Sequence, residues 1–149
     1  MLLELSVAAL IMSACVVIHI TGLLTLVDRL LRQKHWIKQN VGFRHYTPLL
    51  TFIFAVVTGL HILEACIWAV FYDWHRLFPN AETALYFSLG SYTTIGYGDV
   101  VLPEKWRLLG TVEGITGVLL CGLSTAFIFA VVNALFKIRV QQLNQAAKG

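Results

Sequence analysis

Apolar residues fall in three long runs along this chain, with neither the alternation of half-buried strands nor the one-sided stripe of a surface helix. The first run extends from Leu2 to Val27 and is broken only by Glu4 and His19. The second spans Thr47 to Phe71 and contains His61 and Glu64. The third spans Leu108 to Phe136 and contains Glu113. A helix needs about 20 residues to cross a bilayer, and each run is long enough. Pro48 suits the first turn of the second helix, where its missing N–H costs nothing. Between the second and third runs lies a stretch too short and too broken to cross. Phe78-Pro79-Asn80 is a helix-start signal with Asn80 as N-cap, and a short apolar helix is predicted from Ala81 to about Thr93. Thr94-Ile95-Gly96-Tyr97-Gly98-Asp99 follows, a segment no regular helix would choose, and Pro103 ends the loop.

Composition agrees with a membrane location. The chain is 58% hydrophobic and 13% charged, against about 25% charge in soluble domains. The net charge of +3 gives no reason to expect nucleic-acid binding, because the basic residues lie where membrane topology wants them. Arg29, Arg32, Lys34, Lys38 and Arg44 fill the loop after the first run, with Asp28 as its one acid. Lys137, Arg139 and Lys148 mark the C-terminal tail. Both segments are therefore expected in the cytoplasm, with the N-terminus and the 73–107 segment outside. The first run has no basic leader and is long for a signal core, so it is read as a retained span. Cys15, Cys66 and Cys121 lie in apolar stretches, odd in number and far apart; buried free thiols are expected, with no disulfide or metal framework.

The 94–99 loop carries the chemistry. A cation sheds its hydration shell only where oxygens replace it. Consecutive backbone carbonyls can face one way only if some residues take unusual φ angles, and Gly96 and Gly98 supply that freedom. Thr94 adds a hydroxyl at the inner end. Four such loops around an axis would stack rings of oxygen able to hold a dehydrated potassium ion, with Ile95 and Tyr97 packing behind them.

The segment resembles the selectivity filter of the potassium channel family, whose pattern is T-V/I-G-Y-G. It also stands where that family places it, between a short pore helix and a final span. The resemblance covers about Thr47 to Phe136. It implies ion coordination at Thr94, Ile95, Gly96, Tyr97 and Gly98, and a bracing role for Asp99. It also implies an inner helix that bends at a glycine, for which Gly117 is the nearest match and Gly122 the second. The cavity face would include Gly122, Ala126 and Ala130, or Thr125 and Phe129 if the register slips by one. Gly110, Gly114, Gly122, Ala126, Ala130 and Ala134 form a four-residue spacing of small residues that lets helices approach closely.

The chain departs from the family pattern in two places. Many members carry a Glu four residues before the last filter Thr, paired with the Asp after the filter; here that position is Gly90. Asp99 therefore needs another partner. Tyr86 could reach it, and Glu64 and Glu113 are the other candidates, since an ionisable residue inside a span is a functional hypothesis by default. Glu113 is expected to hydrogen-bond behind the filter in its protonated form, or to cap pore-helix hydroxyls such as Ser88 or Ser91. His19 and His61 read as neutral, hydrogen-bonded histidines, with a pH sensor as the sharper alternative. Trp36, Trp68, Trp74 and Trp106 read as interfacial anchors. The second departure is the first span, which the family's minimal module lacks and which is expected to pack outside that module against the second span.

The expectation is thus an all-α membrane protein of three transmembrane helices plus a re-entrant pore helix and filter loop, assembled as a homotetramer. Residues 1–27 form the extra helix, 28–46 a basic cytoplasmic loop, 47–136 the pore module and 137–149 a short cytoplasmic tail. Its function would be passive K⁺ conduction across the plasma membrane, with no catalysis. K⁺ would be its permeant ligand, and it would have no cofactor, nucleic acid or evident soluble partner. A less selective cation channel and a non-conducting regulatory subunit are the alternatives. No Arg-rich voltage-sensor helix is present, and the short tail leaves no room for an attached ligand domain, so neither kind of gating is expected.

Overall fold

A computed structural model describes residues 2–33, 35, 37 and 42–147. Lys34, Trp36, Lys38 and Lys148 lie outside the described residues. The chain forms α1 (Leu2–Arg32), α2 (Phe43–Trp74), the short α3 (Ala81–Tyr92) and α4 (Arg107–Ala146), which is entered through a 3₁₀ turn at Glu104–Trp106. The three long helices are each long and apolar enough to cross a membrane.

The helices outrun the apolar segments, because hydrophobicity fixes what sits in lipid while a helix stops only at a breaker. Past Phe136, residues 137–146 hold neither Gly nor Pro, and α4 continues to Ala146. At the other end, α2 starts at Phe43 beside Gly42, so Pro48 lies inside the helix and not in its first turn. One hydrogen bond, to the Arg44 carbonyl, is therefore missing.

The packing divides into two layers. In one, Trp68, Tyr72, Phe78, Tyr92, Leu102 and Leu109 form an aromatic-rich core among α2, α3 and α4, with Ala8 and Cys15 of α1 reaching into it. Edge-to-face contacts of Tyr72 with Phe78 and Phe87, at 6.0 and 5.5 Å, fix the ring positions. In the other layer, Leu23 and Leu26 of α1 join Ile53 and Val57 of α2 and Phe127, Ile128 and Val131 of α4. Helix α1 thus lies against both α2 and α4, and not against the second span alone. Gly22 lets α1 approach α2, where a Cβ would come within 2.7 Å of Leu60.

Two expectations about single residues are corrected. Trp68 is fully buried in the aromatic core, whereas Trp74, at 82% exposure, stands free on the surface. The position of Trp68 near the end of an apolar run mimics an anchor, but its face of α2 points into the core it shares with Cys15 of α1 and Tyr72. Of the cysteines only Cys15 is buried; Cys66 is half-buried and Cys121 exposed.

Candidate functional site

The loop after α3 is held by the helix that precedes it. Asn80 begins α3, its Oδ1 accepting from the Thr83 backbone N–H at 2.8 Å and from the Thr83 hydroxyl at 2.9 Å. At the far end the chain folds back on the helix's unpaired carbonyls. The N–H groups of Thr93, Thr94 and Gly96 donate to the carbonyls of Leu89, Ser91 and Gly90, at 3.1, 3.0 and 3.1 Å. From there φ alternates in sign: Thr94 +60°, Gly96 +52° and Gly98 +77°, with Ile95 and Tyr97 remaining negative. A β-strand turns successive carbonyls to opposite sides, whereas a backbone that alternates between right- and left-handed conformations can turn them to one side. The two glycines take the left-handed region freely. Thr94 is β-branched, and holding it there costs about 1–3 kcal/mol, a strain characteristic of functional backbone.

The side chains around this loop explain how Asp99 is held. Tyr86 Oη donates to Asp99 Oδ2 at 2.8 Å, and the Val100 N–H donates to Oδ1 at 3.0 Å. This hydrogen bond to Asp99 pushes the Tyr86 phenol above its ordinary pKa. Tyr97 stacks on Tyr86 with ring centroids 6.3 Å apart and planes 9° from parallel. Ile95 and Tyr97 are nevertheless 58% and 69% exposed. A groove of about 790 Å³ opens beside the loop, lined by Ser91, Thr94 and Gly96 and by Gly114, Ile115 and Val118 of α4.

Glu113 and Glu64 are not brought to Asp99. Each is fully buried and serves α3 from behind. Tyr72 Oη donates to Glu113 Oε2 at 2.8 Å, and Ser88 Oγ contacts Glu113 Oε1. Ser88 Oγ also donates to the Ala65 carbonyl at 2.7 Å. A serine has one hydrogen, so it cannot satisfy both acceptors; the arrangement closes if Glu113 is the neutral acid and donates to Ser88. Glu64 sits in a second cluster. Its Oε1 lies 2.8 Å from His19 Nδ1, and its Oε2 accepts from Tyr92 Oη.

The same cluster raises the question of a metal, since His19, His61 and Glu64 each bring a ligand atom within 4.8 Å of the others. A tetrahedral zinc with bonds of about 2.0–2.2 Å spaces its ligand atoms about 3.3 Å apart. The 2.8 Å between His19 and Glu64 is shorter, so a shared proton accounts for the contact.

Helix α4 uses its small residues in two ways. A four-residue spacing drifts around a 3.6-residue helix by roughly 40° per step. The stripe therefore faces α3 at Gly110 and Gly114, where a Cβ would lie 3.1 Å from Phe87 Cζ and 3.2 Å from the Ser91 carbonyl. It has turned away by Gly122, Ala126 and Ala130, all exposed, as are Thr125 and Phe129. Gly117 is the tightest position: a Cβ there would stand 1.9 Å from the Tyr92 carbonyl oxygen. Gly122 has nothing within 4 Å.

Tyr92 and Ser124 carry no signal in the sequence, because their partners stand 28 to 105 residues away. Only the rule that ionisable residues inside spans are functional points to this region.

A scan against protein-family profiles matches the ion channel family over residues 60–134, half of the chain. Searches of curated proteins and of solved structures return no match. The matched segment runs from α2 through α3 and the 94–99 loop into α4. With three apolar helices around that loop, the chain belongs to the ion channel family, as a two-span, potassium-channel-like pore domain carrying an additional N-terminal helix.

Proposed function

We propose that four copies of this chain form a channel that conducts K⁺ passively and selectively, with Thr94, Ile95, Gly96, Tyr97 and Gly98 supplying the coordinating oxygens. The observation that carries this reading is the alternation of left-handed φ at Thr94, Gly96 and Gly98 in a loop tied to the end of α3. The strain at Thr94 has a purpose if carbonyls must face an axis. The exposure of Ile95 and Tyr97, and the groove beside them, support a neighbouring copy seated there, because four loops are needed to close each oxygen ring.

In this assembly Asp99, held by Tyr86, braces the outer end of the filter, and Glu113 and Glu64 support α3 from the far side. Gly122, Ala126 and Ala130 face the inner cavity. Of the two glycines proposed for a bend, Gly122 is the freer, since bending at Gly117 would break its seat against Tyr92. The basic residues orient the N-terminus outside and the C-terminus in the cytoplasm of a plasma membrane. No covalent chemistry is required, and K⁺ is the cargo. Purified protein in liposomes tests this reading: K⁺ flux blocked by Ba²⁺, with little Na⁺ flux, supports it. Equal Na⁺ flux would make the protein a less selective cation channel, and no flux a non-conducting subunit.

A further inference from the structure

Five buried or half-buried side chains from all four helices form a closed ring at the foot of the filter. Glu64 Oε1 contacts His19 Nδ1 at 2.8 Å, and His19 Nε2 contacts Ser124 Oγ at 2.9 Å. Ser124 Oγ contacts His61 Nε2 at 3.0 Å, and His61 Nδ1 contacts Tyr92 Oη at 2.9 Å. Tyr92 Oη returns to Glu64 Oε2. His19 belongs to α1, His61 and Glu64 to α2, Tyr92 to α3 and Ser124 to α4.

The proton count of this ring is informative. A neutral carboxyl, two neutral imidazoles, a serine and a tyrosine each carry one polar hydrogen, five in all for the five contacts. Every contact then holds one hydrogen, whichever way round the ring the donors point. Moving the Glu64 proton onto His19 makes an ion pair and leaves both the count and the zero net charge unchanged. A further proton makes both imidazoles double donors: both Nε2–H groups point at Ser124 Oγ, and His61 Nδ1–H faces Tyr92 Oη and, 3.5 Å away, Glu64 Oε2. Ser124 Oγ can accept both, but its own hydrogen is then turned out of the ring, which loosens the α4 link at a site where an unpaired buried polar group costs about 1–3 kcal/mol. The other titratable groups packed on the ring are Cys15 of α1, and Cys121 and Glu113 of α4. Cys121 Sγ lies 4.0 Å from His61 Nε2. The two are thiols and Glu113 is the neutral acid, so none of them supplies a charge that would absorb the added proton.

Tyr92 is the last residue of α3. Its carbonyl rests on Gly117, and Thr93 and Thr94 follow it directly into the filter. We propose that this ring is a proton-operated tether: through His19, the additional helix α1 positions the foot of the filter while the ring is closed, and releases it when acid adds one proton. His19, His61, Glu64 and Ser124 are positioning residues acting through Tyr92. The proposal rests on the conduction reading above.

Two readouts separate the tether from that reading. K⁺ flux from proteoliposomes and thermal melting of the detergent-solubilised protein are both followed from about pH 8 to about pH 5. For the wild type, flux falls on the acid side by up to about tenfold per pH unit, the slope of one added proton. Melting temperature falls over the same range. His19→Gln/His61→Gln, whose amides donate and accept but take up no proton there, flattens both profiles. Ser124→Ala opens the ring without removing a titratable group, and shows the acid phenotype already at pH 8. A wild-type profile flat in both readouts, or unchanged in the double variant, overturns the tether. If neither the wild type nor any variant conducts at any pH, the conduction reading and the tether's link to it both fall, while pH-dependent melting abolished in the double variant still establishes the ring.

Discussion

Adding a single methyl group at Gly117 is the sharpest packing test this structure offers. The Cβ of alanine would stand 1.9 Å from the Tyr92 carbonyl oxygen and 2.9 Å from its carbonyl carbon. Both atoms are backbone, and no rotamer can move them aside. Reaching the 3.4 Å at which ordinary contact begins would require α3 and α4 to part by about 1.5 Å. Overpacking of this kind costs about 1–3 kcal/mol where side chains can adjust, so Gly117→Ala should fall at or above the top of that range. The displacement acts on the residue that leads into Thr93 and Thr94. Gly122→Ala is the matched control, with nothing within 4 Å of its Cβ. Melting of the assembled protein in detergent, with K⁺ flux from the same preparation, reads both effects. Gly117→Ala should melt well below wild type and lose flux, whereas Gly122→Ala should keep wild-type stability. A Gly117→Ala protein as stable and conductive as wild type would refute the close approach of α4 to the foot of the filter.

Other outcomes follow from the same geometry. Gly96→Ala and Gly98→Ala place a Cβ at φ +52° and +77°, a cost of about 1–2 kcal/mol in every subunit; K⁺/Na⁺ discrimination measured by flux should collapse, and retained selectivity would contradict the filter conformation. Glu113→Gln can still donate to Ser88 and accept from Tyr72, so it should melt close to wild type. Glu113→Leu leaves the Tyr72 hydroxyl without its acceptor, at about 1–3 kcal/mol, while Ser88 keeps its bond to the Ala65 carbonyl, and equal stability of the two variants would remove the buried-acid assignment. The phenol of Tyr86 is raised by its bond to Asp99, so the bond-holding neutral form is fully present below the ordinary tyrosine pKa of about 10 and is lost only as pH rises through the raised value. Selectivity should hold to alkaline pH in wild type and be weaker at every pH in Tyr86→Phe, without an alkaline limb.

How much of this is legible in the sequence depends on how local the physics is. The short helix α3 is readable to within a residue, because Asn80 caps it and the glycines after Thr93 stop it. Helix ends inside the membrane are less readable: apolar runs report contact with lipid, and α2 and α4 continue into polar residues that favour helix equally well. The proximity of Tyr86 to Asp99 follows from the missing acid at Gly90, since a short loop can return only so far. Trp68 misleads because composition at a boundary does not say which face of a helix a residue occupies. The His19–Ser124 pair is beyond reach, because α1 could dock on α2 alone, and nothing local shows that it also meets α4.

The reversal potential of the purified protein in a planar bilayer bears most directly on the central claim. With K⁺ and Na⁺ on both sides, the account predicts a potential that follows the K⁺ gradient by about 59 mV per tenfold change and ignores the Na⁺ gradient. A potential that stays near zero when Na⁺ replaces K⁺ on one side would contradict it.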